Sequence, residues 1–156
     1  MNNIQDALYL AQFNIAQARG TIDSAIMKEF REFIDPINSL AEDAPGFVWR
    51  AIDQEGRSSS YLEVPELGAN MLVNLSVWKD IESLKSFTYK TVHSYFVKHR
   101  SNWFEKLDSH HLVMWWIDSS YRPTIEEGLS KLEYLKVNGP SYEAFTFPHI
   151  FHSGQP

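Results

Sequence analysis

The stretch Asn70 to Trp78 limits the fold more than any other part of the chain, because Met71, Val73, Leu75 and Val77 alternate with Asn70, Leu72, Asn74, Ser76 and Trp78. A period of two belongs to a strand, so this strand has one wholly apolar face and one mixed face. Three other segments read the same way. Ala7 to Asn14 and His111 to Asp118 are short apolar runs. Phe47 to Asp53 places Phe47, Trp49 and Ala51 on one face and Val48, Arg50 and Ile52 on the other.

Between the strands the period changes to that of a helix. From Ser24, the residues Ile26, Phe30, Phe33, Ile34, Ile37 and Leu40 recur at steps of three and four and form one stripe. Pro36 lacks a backbone donor and predicts a kink or break near Ile34 and Asp35. Lys79 to Leu107 reads as one long helix or two in tandem. Thr124 caps a further helix through Val137, which Asn138, Gly139 and Pro140 stop. The tail from Tyr142 to Phe151 is aromatic and alternating, as expected for an added strand or an arm across a partner.

Strand, helix, strand, strand, helix, strand, helix and tail give an α+β fold, a ferredoxin-like antiparallel sheet with helices on one face. No linker or repeat divides the chain, so residues 1–156 form a single domain. The strands are apolar on both sides, and a second copy of the chain is the simplest cover for the open face. The expected assembly is therefore a homodimer, a dimeric α+β barrel.

Charge and composition exclude several function classes. A net charge of −6 without a basic cluster gives no affinity for nucleic acid or anionic membrane. There is no cysteine, which removes disulfides, thiolate metal sites and a cysteine nucleophile. No apolar run approaches the ~18 residues of a membrane span, and the polar start carries no signal-like segment, so the cytoplasm is the default address. Phosphate-binding glycine loops, nucleophile elbows and His-Glu-x-x-His pairs are all missing.

The histidines are poorly spaced for metal. His93 and His99 are rotated by about 240° on a helix, His110 and His111 point to opposite sides of a strand, and His149 and His152 have no carboxylate nearby in sequence. No metal site is expected. Aromatic residues, at 14%, are in excess, which suits ring-on-ring packing or a pocket for a flat organic ligand. Tyr89, His93, Phe96 and Arg100 follow steps of four, three and four and share a helix face, with Trp103 at its border. That face, opposed by Trp49 or Trp78 from the strands, predicts a pocket between the sheet and the long helix.

Four groups of residues carry a resemblance: Pro45-Gly46-Phe47-Val48-Trp49-Arg50; Asn74-Leu75-Ser76-Val77-Trp78; Phe87-x-Tyr89-x-x-x-His93 with Arg100-x-x-Trp103-Phe104; and Gly139-Pro140 with Ala144-Phe145-Thr146-Phe147. Together they resemble a bacterial family known as a domain of unknown function. That family is similar to the dimeric α+β barrel superfamily, which includes antibiotic-biosynthesis monooxygenases and heme-degrading monooxygenases. The heme-degrading relatives use an Asn ending the first strand, then a Trp and an iron-ligating His on the helix after the third strand. Asn14 and His93 stand at two of these positions, whereas Phe87 is the nearest counterpart of the Trp, at a shorter spacing to the His.

Cofactor-free relatives let an electron-rich substrate react with oxygen in a dry pocket, a task for amide, indole and guanidinium donors and a base. The resemblance offers Asn74, Arg50, Trp78, Trp103 and His93 for these roles. The expected site therefore has His93, Asn74 and Arg50 as its chemical groups, with Asn14, Trp49, Trp78, Phe87, Tyr89, Phe96, Arg100 and Trp103 holding the ligand. The leading expectation is a small-molecule-binding barrel acting on an apolar, ring-containing metabolite without a cofactor, as a monooxygenase or a related isomerase or cyclase. Heme binding or degradation is the alternative enzyme reading, and a non-catalytic ligand-binding module is the third.

Overall fold

The computed structural model describes residues 7–92 and 99–154. β1 (Leu8–Ala18) is central, with β3 (Met71–Trp78) antiparallel on one edge and β5 (Leu112–Asp118) antiparallel on the other. β2 (Phe47–Arg50) lies outside β3, and the two-residue β4 (Phe104–Glu105) extends the β5 edge beside Gln17 and Ala18. With α1 (Lys28–Asp43) between β1 and β2, and α2 (Ile81–Phe87) after β3, the strand order β5-β1-β3-β2 is that of a ferredoxin-like α+β fold.

The two-residue period assigns side chains to faces as the sequence predicts. Ala11, Phe13 and Ile15 of β1, Val73, Leu75 and Val77 of β3, and Val113, Trp115 and Ile117 of β5 form one apolar layer, nowhere more than 6% exposed. α4 (Ile125–Asn138) covers it through Leu132 and Leu135, and Leu62, Val64 and Leu67 of the segment before β3 add to the cover. Thr124 caps α4 by accepting from the Glu127 amide at 3.2 Å. The cover that the sequence assigned to a second copy thus comes from the chain itself. Both helices of the ferredoxin-like core lie on one face as expected, while α4 is an addition on the other.

On the core-helix face, α1 and α2 pack over the mixed side of β1 and β3, with Phe30, Ile34, Ile37 and Ala41 of α1 pointing inward. Helix α1 runs unbroken through Pro36, because both Pro36 and Glu32, whose carbonyl loses its partner there, are exposed and can be hydrated. The aromatic tail stays with its own chain. Phe145 exchanges backbone hydrogen bonds of 2.8 and 2.9 Å with Met114 on the free edge of β5, and the Trp116 indole donates to the Phe151 carbonyl at 2.7 Å.

Two sequence expectations change at this level. Register slips between Phe47 and Trp49, leaving Val48 as an extra residue. This bulge breaks the alternation, so Phe47 joins Arg50 on the core-helix side while Trp49 packs into the opposite apolar layer. The segment read as one or two long helices also changes form. α2 ends at Phe87 and passes into a π-helical turn, Thr88–Val92, and after residues 93–98 the short α3 (Arg100–Trp103) leads into β4. Among the described residues no helix is long and apolar enough to cross a membrane, and no group of three His, Asp or Glu residues is placed to hold a metal ion.

Candidate functional site

A cavity of about 370 Å³ lies between α1, α2 and the mixed face of β1 and β3. Its walls are apolar: Phe30, Ile34 and Ile37 from α1, Leu84 and Phe87 from α2, and Phe47 with Trp78 at one end. Phe87 stacks on Trp78 with ring centres 5.2 Å apart, and Phe47 meets Trp78 edge-on at 5.4 Å. The floor is polar, because the same alternation that keeps one face apolar sends Gln12, Asn14, Asn74 and Ser76 to the other.

Register brings these floor residues together. Asn14 opposes Asn74, Gln12 opposes Ser76, and Ser76 opposes Arg50 on the next strand. Buried amides are costly unless paired, and here they pair with one another. Gln12 Nε2 donates to Asn74 Oδ1 at 2.5 Å and to Ser76 Oγ at 2.9 Å, while Trp78 Nε1 also donates to Ser76 Oγ at 2.9 Å. Arg50 stands at the side of this patch, its Nε donating to Glu42 of α1 at 2.8 Å. Its Nη1 is closed off from solvent and has no hydrogen-bond partner among the described residues.

The residues expected from sequence separate into three sets. Asn14, Arg50, Asn74, Trp78, Phe87 and Arg100 all line the cavity. Trp49 faces the opposite core, Tyr89 is 52% exposed beside Phe147, and Trp103 is buried against Phe30 and Phe104 without reaching the cavity. Of the expected Tyr89–Trp103 face, Arg100 alone among the described residues lines the cavity: Tyr89 sits in the π-helical turn and Trp103 ends the short α3, so neither follows the regular spacing on which the face was counted. His93 and Phe96 lie outside the described residues.

Three lining residues were not singled out from sequence. Gln12 and Ser76 are polar members of otherwise buried strands, which is the mark that distinguishes them in the sequence. His111 was dismissed with His110 on strand geometry, yet it precedes β5 and sits on the cavity rim near Arg100. Partial burial holds its imidazole below the usual 6.5, the positive Arg100 and then His110 adding to the effect against a hydrogen bond that the ring donates to the Ser109 backbone carbonyl. The ring is therefore neutral at pH 7.

The stability consequence follows from proton counting. Between the unfolded value near 6.5 and the lower folded value, the unfolded chain binds more protons at His111. Stability from this group is complete above about pH 6.5 and falls as pH drops through the folded value. Melting curves from pH 7.5 to 5 should show a shallower acid-side loss for His111→Gln than for wild type. Equal slopes would mean that the imidazole feels no such environment.

The family described as Domain of unknown function (DUF3291) matches residues 9–156. No curated protein matches the chain. Among solved structures, a protein of unknown function from Nitrosomonas europaea is 9% identical, with 76% of this chain and 96% of that chain covered and a TM-score of 0.49. SnoaB, a cofactor-independent oxygenase from Streptomyces nogalater, is 14% identical over 75% of this chain and 96% of its own, with a TM-score of 0.46. Both scores lie below 0.5, so the fold assignment rests on strand order and register rather than on these likenesses. Matched from its first strand to its last residue, the chain belongs to the DUF3291 family.

Proposed function

We propose that the cavity between sheet and core helices binds an apolar, ring-containing small molecule and promotes its reaction with oxygen without a cofactor. One observation carries this reading: a space of about 370 Å³ has aromatic and aliphatic walls and a hydrogen-bonded polar floor. Apolar walls with a few fixed polar groups are the usual make-up of a small-molecule site. The Asn14 amide supplies a donor for a developing oxyanion, while Asn74 and Arg50 hold the polar end of the ligand. His111, neutral at the rim, is the base that the described residues offer, and His93 is the one the sequence resemblance offers.

The reaction needs little else from the protein. A ring methylene loses a proton to the base, the carbanion reacts with oxygen, one oxygen atom ends as the new carbonyl and the other leaves as water. Isomerisation or cyclisation would use the same base and donors without oxygen.

The test uses 1-naphthol for binding and anthrone for turnover. Naphthol at ~100 times its Kd should stabilise the fold by about 2.7 kcal/mol. Oxygen uptake with anthrone should exceed the protein-free rate, and His111→Gln should lower it ~100-fold or more while leaving naphthol binding intact. No naphthol binding would remove the small-molecule reading. Naphthol binding without oxygen uptake would leave a binding module. A hemin complex with a sharp Soret band would favour the heme alternative.

A further inference from the structure

The Arg50 side of the cavity contains more hydrogen-bond donors than the described residues have acceptors for. Its Nε is used by Glu42 at 2.8 Å, but Nη1 is shut away from water with no partner, and Nη2 makes no hydrogen bond among the described residues. A shielded donor without an acceptor costs free energy, and native structures seldom keep one without a reason. Ser76 lies directly across from Arg50 in register. Its oxygen accepts from both Gln12 and Trp78, so its own proton must be donated elsewhere. Asn74, two residues along the same face, uses Oδ1 to accept from Gln12 and so presents its Nδ2 donors.

We infer that this donor patch recognises a carboxylate, making the ligand a ring-bearing organic acid whose charged end docks on Arg50, Ser76 and Asn74. The inference rests on the proposed small-molecule site and narrows its ligand class. A guanidinium whose terminal nitrogens are both free forms a flat fork that matches the two oxygens of a carboxylate. A phosphate ester fits less well, since one Arg already shared with Glu42 leaves too little positive charge for a dianion. Glu42 is about half exposed, so solvent screens its charge, whereas an oxygen inside the cavity meets the guanidinium in a less polar medium. The rings of Phe47, Trp78 and Phe87 then take the apolar body of the acid.

Calorimetry on the full chain with 2-naphthoate and its neutral analogue 2-naphthamide tests the idea. The acid should bind wild type ~10-fold or more tighter than the amide, the ratio expected of a charge-assisted pair over a neutral one. Arg50→Gln should reduce the ratio to near one by weakening only the acid. Arg50→Lys, the milder change, keeps a cation but loses the fork and should cut the ratio at least ~3-fold. Equal binding of acid and amide by wild type overturns the carboxylate assignment and leaves the cavity reading standing. An acid preference that persists unchanged in either variant overturns the role of Arg50. Failure of both ligands to bind removes the cavity reading, and the carboxylate with it.

Discussion

Phe13→Ala should lower stability by ~3–5 kcal/mol, because it empties a fully buried ring position where the central strand meets α4. For a chain of this size that is a fall in melting temperature on the order of 10 °C. The same ring explains Gly128. A Cβ built on Gly128 would stand 2.6 Å from two ring carbons of Phe13 and 3.1 Å from its Cβ, so the helix approaches the strand as closely as it does only because the residue has no side chain. Gly128→Ala should cost ~1–3 kcal/mol through overpacking, despite a gain of about 1 kcal/mol in helix propensity. In the Phe13→Ala background the ring is gone and Gly128→Ala should become neutral or stabilising. Chemical denaturation of the four proteins in this cycle measures the coupling. An equal cost of Gly128→Ala in both backgrounds would show that the Phe13 ring does not set the spacing.

The contact between Phe13 and Gly128 also marks what the sequence could reveal. Alternation in β3 identified the apolar face and the mixed face residue by residue, and Asn74 and Trp78 followed from it directly. Alternation is a local property, fixed by backbone geometry, so it survives into the structure. Cover for the apolar face was not local. The helix after β5 reads as an ordinary capped helix, and nothing in its spacing says which side of the sheet it takes. A homodimer was expected from this open face and from the aromatic tail; α4 covers the face within the chain, and the molecular mass in solution decides the assembly.

Site residues divide along the same line. Those carried on regular strands, Asn14, Asn74 and Trp78, line the cavity, Asn14 having been offered by the resemblance and Asn74 and Trp78 standing on the mixed face that the period marks. Phe47 and Trp49 were read as sharing a face, and the extra residue at Val48 parts them, sending Phe47 to the cavity and Trp49 to the opposite layer; a bulge leaves no mark in composition. Tyr89 and Trp103 were placed by counting 3.6 residues per turn across a segment whose described parts include the π-helical turn Thr88–Val92 and the short α3. A change of helix type within the count rotates everything beyond it. Pairings such as Gln12 with Ser76, 64 residues apart, depend on strand register and become visible only in three dimensions.

Ser76→Ala should be the most damaging single change on the cavity floor, at ~2–4 kcal/mol. One oxygen there accepts from two donors, the Trp78 indole and the Gln12 amide, and both residues are nearly inaccessible, at 1% and 4% exposure. Removing the acceptor strands two buried N–H groups at about 1–3 kcal/mol each, although Gln12 keeps Asn74 for its other hydrogen. Ser76→Thr retains the oxygen and should recover most of the loss. Trp78→Phe offers a second control: with the indole donor gone, Ser76→Ala has only Gln12 left to strand, so the double variant should lose less than the sum of the singles. The competing outcome has a physical basis as well. The cavity is far larger than the ~10–15 Å³ that one water needs, and a water entering beside the vacated oxygen position would accept from both donors. In that case Ser76→Ala would cost under about 1 kcal/mol, and the floor would be wet in the ligand-free protein. Urea denaturation followed by tryptophan fluorescence separates the two: a large, Trp78-dependent loss means a dry floor, and a small, Trp78-independent loss means water reaches it.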